Sequence, residues 1–198
     1  MELHPLFLIP AIALCLAGML VLYQVGRDKG YEAGVASAQI DPSTRLVSPE
    51  MARQLLAIEF SAAERGRPLT VILFHVDNFA RLAVMEGGAA RARLLLMIGA
   101  VLRRRTRGMH VSARQGDGGT FISILGGVET RGAATYVARV RKDLSLIGIG
   151  STPLIVSVSV VPYRPEMHSA EELLSEAHGS LAEARARGGN QIVVSGEA

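Results

Sequence analysis

Three side chains that could coordinate a metal ion stand close together in this 198-residue chain. His75 and Asp77 are two residues apart at the end of an apolar run, so on a β-strand they would share a face. Asp117 lies in the glycine-rich stretch Gly116-Asp117-Gly118-Gly119-Thr120. One hypothesis is therefore a transition-metal site. The alternative is that the three residues simply end a strand and a turn, because no recognised ligand spacing joins them.

Arginines form the second group that could do chemistry. Arg107, Arg114 and Arg185 are the candidates for binding a phosphate group, because a guanidinium presents several donors to phosphate oxygens. The run Arg103-Arg104-Arg105 ends a predicted helix, where cations are favourable beside the last carbonyls. The simpler interpretation of this run is a solvated helix end, and the alternative is a dock for lipid phosphates or an acidic partner.

The composition excludes several classes of protein. The net charge of +3 and the pI near 9.4 are too mildly basic to indicate a nucleic-acid partner, and no aromatic-interleaved basic stripe is present. Cys15 is the single cysteine, which excludes an intrachain disulfide and a cysteine-based zinc cluster. We expect no resident cofactor. The hydrophobic fraction of 49% and the mean hydropathy of +0.29 are high for a soluble domain, and the excess lies at the N-terminus.

The stretch from Leu6 to Gly26 contains no charged residue. As a helix it would rise about 31 Å, which matches the hydrocarbon thickness of a bilayer. The sequence therefore predicts a transmembrane helix. Arg27 and Lys29 follow it directly, so the positive-inside rule predicts a single-pass protein of the inner (cytoplasmic) membrane. Its N-terminus would lie outside and residues 27–198 in the cytoplasm. The alternative is a cleaved signal peptide ending at Ala36-Ser37-Ala38.

Small residues recur at multiples of four through this span and into the segment that follows. On a continuous helix they would form a stripe that lets two helices approach closely, with another copy or with a different protein. The alternative is that these glycines only loosen the joint at the membrane exit. The stripe consists of Gly18, Gly26, Gly30 and Gly34, followed by Ala38.

Helices and strands alternate after the connector. Ser48 is a predicted N-cap, with Pro49 in the first turn. The helix over 50–65 is predicted to bury Met51, Leu55, Ile58 and Ala62. Further helices are predicted over about 89–104, 130–145 and 170–187, the last with a capping box of Ser169 and Glu172. Strands are predicted over 69–76, 109–113, 120–126, 154–161 and 191–194, and the second and third form a hairpin around the turn at 115–119.

Several stretches of the sequence resemble, in order, the motifs of one family. His75-Val76-Asp77-Asn78-Phe79 resembles Asp-Ile-Asp-x-Phe, and Arg114 to Phe121 resembles Arg-Tyr-Gly-Gly-Asp-Glu-Phe with one residue inserted. Asp41-Pro42-Ser43-Thr44-Arg45-Leu46 resembles Asp-x-Leu-Thr-Gly-Leu, Val156-Ser157-Val158-Ser159-Val160 resembles Val-Ser-Ile-Gly-Val, and Gly188-Gly189-Asn190 resembles Gly-Arg-Asn. The chain is therefore similar to the GGDEF family, the diguanylate cyclases, from roughly Asp41 to Val194.

The resemblance implies an α/β (α+β) fold, a ferredoxin-type sandwich of the nucleotidyl-cyclase kind around a mostly antiparallel central sheet. With the span, it implies three parts: a tail and transmembrane helix over 1–26, a juxtamembrane connector over 27–40 and a GGDEF-like domain over 41–198. In an active family member two GTP-loaded domains meet, and carboxylates hold two Mg²⁺ or Mn²⁺ ions on the phosphates.

This chain departs from the family pattern at most of the chemical positions. By the resemblance, His75 replaces the first metal-binding Asp, and Gly118, Gly119 or Thr120 replaces the carboxylates of the signature loop. Asp117 is the nearest acid and is out of register unless the loop slips. The two guanine-reading positions correspond to Ala83 and Ala92, whose methyl groups form no hydrogen bond.

The phosphate-binding groups are retained only in part. Arg185 keeps the cation of the family's Lys, whereas its partner Arg corresponds to Gly189. The product-inhibition motif Arg-x-x-Asp corresponds to Arg107-Gly108-Met109-His110 and has lost its acid.

Together with the predicted transmembrane helix, these losses predict a membrane-anchored protein that is not an enzyme. It would act by protein contact, with a partner protein or as a homodimer, as a scaffold, an accessory subunit or a regulator of a membrane complex. An old substrate cleft lined by Ala83, Val84, Ala92 and Ala182 suits a protein better than a nucleotide. The alternative is a degenerate receptor for GTP or cyclic di-GMP, and an active diguanylate cyclase is the third hypothesis.

Overall fold

The computed structural model describes residues 39–85, 88–106 and 110–196. The chain divides into two units, Met1–Ala38 and Gln39–Ala198, and the described residues belong to the second. The predicted transmembrane helix, the small-residue stripe of Gly18, Gly26, Gly30 and Gly34, and Arg107 all lie outside the described residues. Among the residues that are described, no helix is both long enough and apolar enough to cross a membrane.

Five helices and seven strands make up the described part of the second unit. In chain order they are α1 Pro49–Ala63, β1 Leu69–Val76, α2 Phe79–Met85, α3 Gly88–Arg105, β2 Val111–Gln115, β3 Thr120–Gly126, α4 Thr130–Ser145, β4 Gly148–Ile149, β5 Thr152–Pro153, β6 Val156–Pro162, α5 Ala170–Ala186 and β7 Ile192–Val194.

The central sheet has five strands in the order β2-β3-β1-β6-β7. The pairings of β2 with β3, of β3 with β1 and of β1 with β6 are antiparallel, and β7 joins β6 in parallel. The sheet is therefore mixed, which corrects the expectation of a mostly antiparallel sheet at its last strand. A second sheet consists of the short hairpin β4-β5.

The middle strand β1 carries apolar side chains toward both faces, because both faces are covered by helices. Ile72 and Phe74 pack in one core with α2, α3 and α4. Val71 and Leu73 pack in a second core with α1 and α5. The sheet thus lies between two layers of helices, and the carboxyl end of β1, where His75 stands, reaches the edge of the sandwich.

The buried face of α1 is displaced by about one residue along the helix from the predicted face. Ile58, predicted to be buried, is 62% exposed. Met51, Leu55 and Ala62 are only partly buried, and the buried apolar residues of α1 are Ala52, Leu56, Phe60 and Ala63. The ring of Phe60 packs edge-on against Tyr163, with centroids 5.2 Å apart. Tyr163 is distant from Phe60 in the sequence. Its contact with Phe60 favours burial of the row that contains Phe60 over the predicted row that contains Ile58.

Both predicted N-caps are confirmed. The amide of Met51 donates to the Ser48 hydroxyl at 3.3 Å, and the amide of Glu172 donates to the Ser169 hydroxyl at 3.1 Å. The carboxylate of Glu172, however, accepts from the amide of His168 rather than from that of Ser169, so the reciprocal half of the predicted capping box is wrong by one residue. Helix α2 and the hairpin β4-β5 were not predicted from the sequence, and β2 begins two residues later than expected.

Candidate functional site

His75 and Thr120 form a hydrogen-bonded pair at the end of the sheet. They are direct partners in the antiparallel register of β1 and β3, and His75 Nδ1 lies 2.8 Å from Thr120 Oγ1. Burial lowers the pKa of His75 below its ordinary value of 6.5, and the positive charge of Arg185 lowers it further, while Asp77 opposes the shift. The imidazole is therefore neutral at neutral pH. By the resemblance, His75 stands at the position of the first metal-binding Asp, and Thr120 is one of the three positions, with Gly118 and Gly119, that replace the signature-loop carboxylates.

Asp77 is engaged in holding the fold together. Its Oδ2 accepts the hydroxyl of Ser157 at 2.9 Å and the backbone amide of Asn190 at 3.0 Å. These bonds join the end of β1 to β6 and to the turn after α5. Gly189 approaches closely, since a Cβ atom there would lie 3.0 Å from the same oxygen, and its φ of +74° favours glycine. The one carboxylate at the strand end therefore already has two hydrogen-bond donors.

The glycine-rich turn connects β2 and β3 through residues 116–119, because Gln115 pairs with Thr120. The carbonyl of Gly119 accepts the amide of Val76 at 2.9 Å, which draws the turn against the end of β1. A Cβ atom built on Gly119 would lie 2.6 Å from the Cβ of Phe79, whereas one on Gly118 meets nothing within 4 Å. The packing of Phe79 therefore leaves no room for a side chain at position 119.

Arg114 holds this turn and does not stand free for phosphate. Its side chain is buried, and its guanidinium donates to the carbonyls of Asp117 and Gly118, the latter at 3.2 Å. It also reaches the hydroxyl of Ser43 at 3.5 Å. Burial lowers the pKa of Arg114, and Arg91 lowers it further, against the opposing charges of Asp41 and Asp117. Arg114 therefore fixes the loop in this structure, and its phosphate binding stays a prediction.

The predicted metal-ligating residues do not converge. Across residues 39–85, 88–106 and 110–196, no three His, Cys, Asp or Glu side chains are grouped so that they could hold a metal ion. Asp117 lies in the turn, where its backbone carbonyl accepts from Arg91 at 2.8 Å. The transition-metal hypothesis for His75, Asp77 and Asp117 is therefore wrong for the described conformation.

The apolar residues that were predicted to line the cleft lie on α2 and α3, and Ile155 lies beside the end of β1. Ala83 is partly buried against the core of the helix layer and Ala92 is exposed on α3, so neither presents a polar group. Val84 on α2 is 75% exposed. Ile155, which sequence reasoning missed, is 39% exposed and is fixed beside the strand end, since its carbonyl accepts the amide of Asp77 at 2.8 Å. Its position follows from the β1–β6 pairing, which no local sequence signal shows.

Arg185 is an exposed cation near His75. It lies on α5, and its charge contributes to lowering the pKa of His75, which places it near the imidazole. Ala182 is exposed on the same helix. A cation such as Arg185 beside His75 can attract an anion, but it does not replace two bound metal ions.

A cavity of about 340 Å³ lies between α3 and α4. Its lining includes three arginines, one histidine and one tyrosine, which are Arg104, Arg105, Arg139, His110 and Tyr136. Arg104 donates to Asp143 at 2.8 Å, and Arg105 donates to both oxygens of that carboxylate at 2.7 and 2.9 Å. The hydrogen bonds from Arg105, followed by those from Arg104, hold the pKa of Asp143 at about 2.

His110 lies between this cavity and the protein interior. Its Nδ1 is buried and makes no hydrogen bond among the described residues. Burial lowers the pKa of His110, against an opposing effect from Glu59. Where the product-inhibition motif of the resembling family has an acid, this chain therefore has an uncharged imidazole.

Comparison with known families assigns the class of this domain. The family model described as diguanylate cyclase, GGDEF domain, matches residues 38–191, most of the chain. The protein belongs to the GGDEF family. No curated protein matches the sequence.

Solved structures with the same fold include a diguanylate cyclase and other GGDEF domains. The coiled coil and GGDEF domain of DgcB from Caulobacter crescentus, in complex with c-di-GMP, is similar with a TM-score of 0.82 at 18% identity, over 93% of this chain and 100% of that one. The diguanylate cyclase SiaD from Pseudomonas aeruginosa, in complex with its activator SiaC, has a TM-score of 0.73 at 20% identity, over 96% and 77%. The FimX GGDEF domain from Pseudomonas aeruginosa has a TM-score of 0.72 at 21% identity, over 78% and 98%. At sequence identities of 18 to 21%, these structural similarities show that the chain shares the fold of these proteins.

Proposed function

We propose that this protein is a catalytically inactive, membrane-anchored GGDEF protein that acts by protein contact, as a scaffold, an accessory subunit or a regulator of a membrane complex. The observation that carries the proposal is the hydrogen bond between His75 and Thr120. It fills with a neutral imidazole and a hydroxyl the place where cyclase chemistry requires anionic oxygen ligands.

The physical argument rests on charge and space. Two-metal phosphoryl transfer depends almost entirely on positioning and on stabilising negative charge. Mg²⁺ and Mn²⁺ prefer carboxylate and other oxygen ligands, and a neutral imidazole contributes no negative charge. Asp77 already binds Ser157 and Asn190, and Phe79 excludes a side chain at Gly119. These contacts support a site in which Asp77 is the one carboxylate at the end of β1 and positions 119 and 120 contribute none.

The support for a contact function is the apolar border of the same site. Val84 and Ile155 are large, exposed apolar residues. Val84 follows Ala83, which the resemblance aligns with a guanine-reading residue, and the carbonyl of Ile155 accepts the amide of Asp77. A protein partner can bury such residues, and charged groups are depleted at the centre of interfaces. The related diguanylate cyclase SiaD was crystallised with a protein, its activator SiaC.

The anchor belongs to the same proposal. The uncharged stretch from Leu6 to Gly26, followed by Arg27 and Lys29, supports a single-pass helix in the inner membrane with the GGDEF domain in the cytoplasm. The stripe of Gly18, Gly26, Gly30 and Gly34 supports close packing of that helix with another membrane helix.

The contact function is tested by extracting tagged full-length protein from its native membrane in a mild detergent, followed by size analysis and mass spectrometry. We expect a stoichiometric partner protein that is lost in the Val84→Glu and Ile155→Glu variants. Ala57→Glu, on the exposed face of α1, is the matched control and should keep the partner. Recovery of a bare monomer, or of the partner with all three variants, would contradict this role for the apolar border.

A second candidate function has one observation in its favour. The cavity between α3 and α4 presents Arg139, beside the Asp143-paired Arg104 and Arg105, as a cation that could bind the phosphates of GTP or cyclic di-GMP. Titration of the full-length protein with each nucleotide tests this receptor hypothesis. A micromolar dissociation constant that is lost in Arg139→Ala would favour it, whereas the absence of binding would leave the contact function as the sole proposal.

A further inference from the structure

A groove of about 460 Å³ lies between helix α4 and the edge of the sheet at β7, and neither His75 nor Thr120 lines it. Its walls are mainly apolar. Ala134 and Ala138 contribute from the helix, and Val160, Ile192 and Val194 contribute from the sheet. Arg131 is its charged residue.

The groove is open because the helix presents short side chains to it. Ala134 and Ala138 are one turn apart on α4, and both are exposed. Longer residues at these positions would cover the last strand. As a result, Ile192 remains 41% exposed although it belongs to the sheet.

The strand beside the groove has an unpaired side among the described residues, since β7 is the last strand of the sheet order. The carbonyl of Gln191 accepts from Val158, and the amide of Ser195 donates to Val160. In a parallel ladder alternate residues bond to the same neighbour, so Ile192 and Val194 direct their amides and carbonyls away from β6. The side chains of these same two residues line the groove. An added extended segment could therefore bond to the edge and place alternate side chains in the groove.

The charge of α4 selects among the possible occupants. The helix carries Arg131, Arg139, Arg141 and Lys142, and its single acid, Asp143, is paired with Arg104 and Arg105. Arg141 also donates to Asn190, directly before β7, at 2.7 Å. Two copies of this chain joined edge to edge would bring two basic helices together, which is unfavourable. A segment with acidic residues beside an apolar stretch complements both the helix and the groove.

We propose that the β7 edge and the α4 groove bind an extended apolar segment of another protein, flanked by acidic residues, as an additional strand. This inference goes beyond the proposed contact function, because it assigns a separate surface. It does not depend on whether the His75 site has lost catalysis.

The test uses full-length protein in mild detergent and a fluorescein-labelled peptide, Asp-Val-Thr-Val-Thr-Val-Asp, followed by fluorescence polarisation. We expect saturable binding, at least tenfold weaker for the same peptide with lysines in place of the two aspartates. Ala138→Glu, which places a carboxylate at the groove, should weaken binding of the acidic peptide at least tenfold. Ala57→Glu, an exposed alanine on α1, is the matched control and should leave binding unchanged.

Hydrogen exchange locates the contact and decides between occupants. Peptide addition should slow the exchange of the Ile192 and Val194 amides. Equal binding by wild type and Ala138→Glu, or unchanged exchange at both amides, would overturn the proposal. Slow exchange at both amides before peptide is added would mean that the edge is covered by the chain itself. A wild-type dimer that Ala138→Glu converts to a monomer would mean that a second copy is the occupant. An edge that the chain itself covers, or a second copy as the occupant, would also overturn the proposal.

Discussion

Replacing Gly119 by alanine tests whether Phe79 fills the space that a side chain at position 119 would need. The added Cβ would lie 2.6 Å from the Cβ and 2.7 Å from the Cγ of Phe79, well inside van der Waals contact. Phe79 is buried, so it cannot move into solvent without disturbing the core. Overpacking of this kind costs about 1–3 kcal/mol. We therefore expect Gly119→Ala to be destabilised by that amount.

Gly118→Ala is the matched control, one residue earlier in the same turn. Its Cβ would meet nothing within 4 Å, and neither Gly118 nor Gly119 has a positive φ. Alanine here should be neutral or should stabilise by up to about 1 kcal/mol, because it restricts the unfolded chain. The comparison thus isolates the contact with Phe79 from the general effect of removing a glycine.

The assay is urea unfolding of the full-length protein in detergent, followed by circular dichroism and compared at equal m-value. For a domain of this size, a loss of 1 kcal/mol lowers the melting temperature by about 2–4 °C. Equal stability of the Gly118→Ala and Gly119→Ala variants would refute the reasoning. It would mean that a side chain fits at position 119 and that Phe79 does not restrict this part of the loop.

Three further predictions concern titration and the contacts of Asp77. The pKa values of His75 and His110 lie below 6.5 in the folded state, so the unfolded chain takes up protons more readily as the pH falls. The urea concentration at the unfolding midpoint should therefore decrease when the pH is lowered from 7.5 to 5.5. This decrease should be smaller in His75→Gln. The pKa of Asp143 is about 2 in the folded state and 3.8 in the unfolded chain, so the ionised carboxylate stabilises the fold above about pH 4 and this stabilisation is lost toward pH 2. Asp143→Asn should therefore lose less stability than the wild type between pH 5 and pH 3, as measured by urea unfolding. Asp77→Ala should destabilise the domain by about 1–3 kcal/mol and speed hydrogen exchange of the Asn190 amide, and unchanged exchange there would contradict the role given to that carboxylate.

Much of the fold could be predicted because its elements have strong local signals. The continuous apolar run of β1 and the caps at Ser48 and Ser169 are written in neighbouring residues, and the structure places them as expected. The inward face of α1 could not be chosen in the same way. Ala52-Leu56-Phe60-Ala63 and Met51-Leu55-Ile58-Ala62 are both plausible apolar rows, and the contact of Phe60 with Tyr163 decides between them.

The candidate site depends on pairings that the sequence leaves open. The extra residue in the glycine-rich turn allowed several alignments, and only the pairing of His75 with Thr120 shows which residue meets the imidazole. Arg114 was expected to bind phosphate because its type suits phosphate, yet two backbone carbonyls of the turn use its donors instead. Ile155 was missed because its exposure depends on where β6 begins beside β1.

The central claim is that the site of this GGDEF domain performs no cyclase chemistry. The most direct measurement incubates purified full-length protein with GTP and Mn²⁺ and quantifies cyclic di-GMP by chromatography and mass spectrometry, with His75→Ala as the control for contaminating enzymes. The account predicts no product above the level of the control. Cyclic di-GMP that the wild type forms and His75→Ala does not would contradict it.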